Sequence, residues 1–160
     1  MNREEAILFF ENDHHKLETA ISKLTEQQMI FEQVQGTWTA KEIIAHISAW
    51  NWEIITQANL VLSGKPPWHT YITEAEFNRI AVETRASWSL EKVITEWQES
   101  YNALVDRIRS LSENEWNFEL DEMWPEGGKV SVSSIFGYRY RGEGHEGGHA
   151  IAIREYFSVD

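Results

Sequence analysis

Two histidines stand four residues apart near the C-terminus, in Gly144-His145-Glu146-Gly147-Gly148-His149. On a helix that spacing puts both imidazoles on one face, within reach of a single cation. The string is also His-Glu-x-x-His, which in zinc proteases supplies two metal ligands and a glutamate general base. A third imidazole lies about a hundred residues upstream, His46 in Thr39-Ala40-Lys41-Glu42-Ile43-Ile44-Ala45-His46. Three neutral imidazoles with an open position make a Lewis-acid site that lowers the pKa of bound water to about 7. Such a site should lose its ion below about pH 6, where an ordinary imidazole protonates.

Glycines crowd this segment: Gly142, Gly144, Gly147 and Gly148. Each costs a helix interior about 0.5–1 kcal/mol relative to alanine. Their concentration points to close approach of a neighbouring helix or ligand, to an irregular helix, or to a helix that starts later.

The elements that must position these side chains read as helices. Apolar residues recur with helical period almost everywhere, and period-2 alternation is absent, so no sheet is expected. A first helix spans about Arg3 to Leu24, with Ile7, Phe10, Leu17, Ile21 and Leu24 inward. Thr39 and Glu42 form a capping box that opens a second helix to about Leu62, ended by Ser63-Gly64-Lys65-Pro66-Pro67. Thr73 and Glu76 open a short third helix to about Arg85. Ser89 caps a fourth, with Val93, Ile94, Trp97, Tyr101, Leu104, Val105 and Ile108 on one stripe. Residues from about Ser112 to Lys129 read as loop, and a last helix is expected from about Ser131 to Phe157. The chain therefore predicts an all-α, single-domain four-helix up-down bundle over residues 1–160 with one extra short helix. A weak repeat relates Leu24-Thr25-Glu26-Gln27-Gln28-Met29 to Leu111-Ser112-Glu113-Asn114-Glu115-Trp116, each leading through a glycine-containing loop into a capped helix. It would place His46 and the His145/His149 pair on counterpart helices.

Composition narrows the chemistry. The 160 residues carry a formal charge of −12 with fourteen Lys and Arg, too few to supply the basic face that nucleic acid or an anionic membrane would need. Cysteine is absent, which excludes thiolate ligands, disulfides and a protein thiol nucleophile. Neither a signal peptide nor a spanning segment is visible, so a cytoplasmic setting is expected.

The stretch Trp38 to His46, Trp-Thr-x-x-Glu-Ile-Ile-x-His, resembles the second helix of the DinB/YfiT-like metalloenzymes. His145-x-x-x-His149 followed by Ala150-Ile151-Ala152-Ile153-Arg154-Glu155 resembles their last helix. The resemblance runs over nearly the whole chain in helix order. It implies a four-helix bundle, commonly a homodimer, in which His46, His145 and His149 hold a divalent metal such as zinc or nickel. It further implies a hydrolase or a thiol-dependent transferase acting on a small molecule. Without a cysteine, any thiol must be an external low-molecular-weight cofactor. The related ClbS/DfsB branch uses the scaffold differently. The glycines around His145 and the acidic stretch Glu119-Leu120-Asp121-Glu122 depart from the pattern.

The protease alternative fares worse. A metzincin-like site would take its third ligand at Glu155 and a glycine at position 152, where this chain has Ala152. Glu155 would point away from the His149 face of a continuous helix. Glu146 is then expected at the rim or behind the ligands. Trp50, Glu53 and Gln57 follow His46 along one stripe. Trp50 and Gln57 are candidates for the substrate pocket, and Glu53, with Glu146, for a catalytic carboxylate. His14, in register with Phe10 and Leu17, is a further pocket candidate or else a satisfied core histidine. His15 shares its helix, and His69 reads as a loop residue. A non-catalytic bundle that sequesters a small ligand in a tryptophan-lined pocket remains the alternative.

Overall fold

The computed structural model describes residues 1–67 and 73–160. His69 lies outside them. Four long helices form the frame: α1 (Arg3–Ser22), α3 (Ala40–Leu62), α5 (Leu90–Ser110) and α8 (His145–Phe157). Four shorter ones among the described residues, against the single extra helix expected, are α2 (Glu26–Phe31), α4 (Glu74–Thr84), α6 (Glu113–Trp116) and α7 (Val132–Ile135). Local chemistry sets their starts. The Thr39 hydroxyl accepts from the Glu42 N–H while the Glu42 carboxylate accepts from the Thr39 N–H, at 3.2 and 2.8 Å. This reciprocal box fixes where α3 begins and so where His46 falls.

Packing closes a ring. α3 lies most extensively against α5 and α1 against α8, with α1–α5 and α3–α8 contacts completing the circuit. That order, α1–α5–α3–α8, refines the expected up-down bundle. The chain passes between diagonally placed helices twice, from α1 to α3 and from α5 to α8. The crossings need length, and each is built alike: a short capped helix, a two-stranded antiparallel hairpin, then another capped helix. The first uses α2 and β1 (Gln33–Gln35) with β2 (Trp38–Thr39). The second uses α6 and β3 (Glu119–Met123) with β4 (Lys129–Ser131). Thr25 and Ser112 cap the two short helices in the same reciprocal way. The sequence repeat thus marks two similar crossings. The two hairpins correct the expectation that no strand would form; each is too short for alternation to register.

A second correction concerns the C-terminal helix, which does not run from Ser131. α7 stops at Ile135, and the chain turns back before α8 starts at His145. Arg141 and Gly142 both have positive φ, 54° and 82°, as a two-residue reversal of the I′ kind demands, and Tyr140 and Glu143 exchange backbone hydrogen bonds across it. Two hydrophobic clusters fill the bundle. One centres on Leu17, Ile43, Ile44, Ile47, Trp97 and Ile153. The other, around Leu104, Ile108, Trp116 and Phe136, seals the end carrying the second crossing.

Candidate metal centre

α3 and α8 together bring His46, His145 and His149 to one point. One nitrogen from each lies within 4.8 Å of the others, the one such cluster found among the described residues. His46 Nε2 and His145 Nε2 are 2.9 Å apart. His46 and His149 are 5% and 4% exposed. Burial strips water from all three rings and disfavours their protonated forms. The pKa of His46 is lowered to about 4 and that of His149 to about 3, and His145 is held well below the usual histidine range, with its two neighbours adding to the effect. At neutral pH the cluster is three uncharged imidazoles, the form that binds a metal.

The donor set fits a divalent ion on further counts. His46 Nε2 and His145 Nε2 face each other at 2.9 Å, with at most one proton between them. A cation accepting lone pairs from Nε2 of both rings would take that proton's place. His149 has its Nδ1 2.9 Å from Gln35 Oε1, which leaves Nε2 as its inward atom. Three imidazoles without carboxylate or thiolate suit zinc, nickel and neighbouring transition metals rather than calcium or magnesium. Aromatic rings wall the cluster: Trp38 and Trp50 flank His46, Tyr138 meets His145 edge-on, and Tyr140 lies 5.0 Å from His149 between centroids.

His145 also lines a cavity of about 560 Å³, so the cluster opens onto space a small molecule could occupy. Trp50 and Gln57 line the same cavity, as do Trp124, Ile135 and Tyr138. The other site candidates lie elsewhere. Glu53 accepts from Gln57 Nε2 at 3.2 Å and borders a separate cleft of about 270 Å³ between α3 and α4. Glu146 does not reach the cavity rim. It turns into the bundle, where its oxygens are 2.8 Å from His14 Nδ1 and 3.1 Å from Trp97 Nε1. His14 stacks on Tyr101, with 3.6 Å between centroids and 6° between planes, and likewise does not line the cavity. Glu155 is exposed and pairs with Arg141, far from ligand duty.

The glycines find their reasons here. Gly144 caps α8 without a side chain, and Asp13 of α1 supplies the missing acceptor: Gly147 N–H donates to Asp13 Oδ2 at 2.9 Å. A Cβ on Gly144 or Gly147 would sit 2.3 or 2.4 Å from an Asp13 oxygen, and one on Gly148 would sit 2.2 Å from Tyr140 Cδ1. Close approach of α1 and of the preceding loop thus holds three of the four positions glycine, and the turn at Arg141–Gly142 holds the fourth.

An all-α bundle with diagonal crossings and a three-histidine cluster that can coordinate a metal defines the class of molecule. The family model described as the DinB superfamily matches residues 10–151, and the chain belongs to that superfamily. Solved structures share its fold. The mycothiol-dependent maleylpyruvate isomerase superposes with a TM-score of 0.75 at 17% identity over 96% of this chain, which spans 61% of the isomerase's length. The colibactin self-resistance protein ClbS, solved with double-stranded DNA, gives 0.73 at 14% identity, covering 97% of this chain and 94% of its own. YfiT from Bacillus subtilis, described as a probable metal-dependent hydrolase with an unusual four-helix bundle topology, gives 0.63 at 14% over 98% and 84%. No functionally curated protein matches the chain by sequence. No helix among the described residues is long and apolar enough to cross a membrane.

Proposed function

We propose that this protein is a metal-dependent enzyme in which His46, His145 and His149 hold one divalent ion, zinc or nickel, beside a small-molecule pocket. The observation that carries the reading is the convergence of three uncharged imidazoles, His46 and His149 buried and His145 half-buried, where His145 forms part of a cavity wall. When bound, the ion supplies a Lewis acid that activates water or the thiol of a small external cofactor, which makes the protein a hydrolase or a thiol-dependent transferase. The chain's own residues do the rest. Trp50 and Trp124 present fixed walls, their indole N–H groups committed to Asn78 Oδ1 and Ser134 Oγ at 2.7 and 2.9 Å. Gln57 offers a polar contact at the same surface. The proposal carries with it a cytoplasmic setting and a homodimer.

Metal content decides the first half. Protein purified without a metal-affinity tag should contain or take up one divalent ion per chain, and His149→Ala should not. Wild type and His149→Ala with equal zinc affinity would end the reading. Turnover of a panel of small esters, amides and electrophiles, with and without a low-molecular-weight thiol, tests the second half. A loaded protein that binds such compounds without converting any of them would favour a sequestering bundle, for which the tryptophan-walled cavity is the supporting feature.

A further inference from the structure

We infer that Gln35 and Tyr140 form a positioning relay for His149, and that Gly148 is glycine because the relay needs the space. The inference rests on the three-histidine reading above. A neutral imidazole has one ring proton, and its position decides which nitrogen can bind a metal. His149 Nδ1 lies 2.9 Å from Gln35 Oε1. A carbonyl oxygen can only accept, so the proton sits on Nδ1 and the lone pair is on Nε2, toward His46 and His145. The amide could reverse this by turning over. Its other end meets the Tyr140 hydroxyl, to which Gln35 Nε2 donates; that hydroxyl anchors the amide, and the inward lone pair that an ion requires of His149 selects the orientation with oxygen toward the ring.

Both relay residues are placed by the two backbone reversals beside them. Gln35 ends β1 immediately before Gly36, whose φ of +59° turns the hairpin back so that Trp38 lies 4.7 Å from the His46 ring. One hairpin therefore contacts two of the three histidines, one by hydrogen bond and one by ring packing. Tyr140 immediately precedes the Arg141–Gly142 reversal and lies over α8 at Gly148. A Cβ there would meet Tyr140 Cδ1 at 2.2 Å and the Tyr140 carbonyl at 2.6 Å. Gly148→Ala would push the tyrosine away and release the amide without touching a ligand.

Zinc affinity of the full-length protein, by competition with a chromophoric chelator, tests this directly. Removing the partner of a ligating histidine typically costs about 10–100-fold in metal affinity, and Gln35→Ala should fall in that range. Gln35→Glu keeps an acceptor at Nδ1 and should restore affinity to wild type or better, a rescue that a purely structural role would not produce. Tyr140→Phe should lose a few-fold, and Gly148→Ala more than Tyr140→Phe. Circular dichroism of each metal-free variant checks the fold, and the Glu variant carries the test if the Ala variant does not fold. Gln35→Ala at wild-type affinity, or Gln35→Glu as weak as Gln35→Ala, would overturn the relay. His149→Ala in the same series separates the two ideas: unchanged affinity there would defeat the triad itself, whereas its loss beside an unaffected Gln35→Ala would defeat only the relay.

Discussion

Adjoining faces of α8 carry two clusters of titratable groups, and they differ in whether their members complement one another. On one face His145 and His149 meet His46, with ring nitrogens directed at one another and His46 Nδ1 unpartnered. On the next, one residue and about 100° around the helix, Glu146 takes hydrogen bonds from His14 and Trp97. There, Gly147 donates to Asp13 Oδ2, while Asp13 Oδ1 is buried without a hydrogen-bond partner, 4.0 Å from Lys16 Nζ. A network of carboxylates facing donors holds elements together; here it joins α1, α5 and α8. Three imidazoles turned toward one another offer lone pairs and no counter-charge, the chemistry that a cation completes. By that standard we propose the histidine face as the binding face and assign Glu146 of His-Glu-x-x-His to the scaffold.

The largest expected effect attacks the binding face. An ion that binds only the native state stabilises it by mass action, by about 4 kcal/mol at a thousandfold excess over its Kd. For a domain of this size that raises Tm by about ten degrees. His46→Ala should abolish most of the metal-dependent rise seen by calorimetry and leave the apo protein folded. His15→Ala, at a side chain 76% exposed, should keep all of it. An undiminished rise in His46→Ala would place the ion elsewhere.

Next comes the scaffold face. Glu146→Ala leaves His14 and the Trp97 N–H buried without their acceptor, which should cost about 1–3 kcal/mol for each orphaned group in chemical denaturation. Zinc affinity of the folded fraction should not change. Loss of metal with little loss of stability would invert the comparison and return Glu146 to the metal's surroundings.

Much of this was legible in the sequence because it depends on spacing. The His145/His149 pair, the Thr39–Glu42 box that sets the phase of α3, and the stripe that carries Trp50 and Gln57 are all local patterns. Gln35 and Tyr140 left no such trace. They meet His149 only because two crossings fold back onto one helix end, and a lone glutamine before a glycine announces nothing. The glycine cluster was a partial signal: close approach could be read from its cost, but not that Asp13 and Tyr140 do the approaching. Continuity misled at Ser131–Phe157, where an apolar period spans two helices separated by a reversal. His14 matched the core stripe, and its partner Glu146 could not be named without the bundle order.

A smaller effect follows from the Asp13 contact. Gly147→Ala gains about 1 kcal/mol of helix propensity but puts a methyl 2.4 Å from Asp13 Oδ1, and overpacking of that kind costs about 1–3 kcal/mol. Net destabilisation of the order of 1 kcal/mol is expected. In an Asp13→Ala background the same change should cost less, since the Asp13 clash is gone and only the 2.9 Å approach to Glu143 Cβ remains. Additive effects across this double-mutant cycle would show that Asp13 is not what keeps position 147 glycine.

The smallest expected effect is a constancy. Free imidazoles would begin to lose a metal near pH 6, but burial lowers His46 from 6.5 to about 4 and His149 to about 3. In the folded protein, protons should therefore not compete for these nitrogens until the pH approaches 4, and zinc affinity should stay flat between about pH 8 and pH 5. Stability behaves differently. Below about pH 6.5 the unfolded chain takes up protons on these histidines while the native state does not, so the metal-free protein loses stability as pH falls toward 4 and 3. Metal competition and metal-free denaturation curves over one pH series separate the two quantities. Flat affinity with falling apo stability is the signature of a buried, preformed triad. Affinity that drops with pH from about 6.5 onward would mean rings open to solvent, and the contrast between the two faces of α8 would then lose its physical basis.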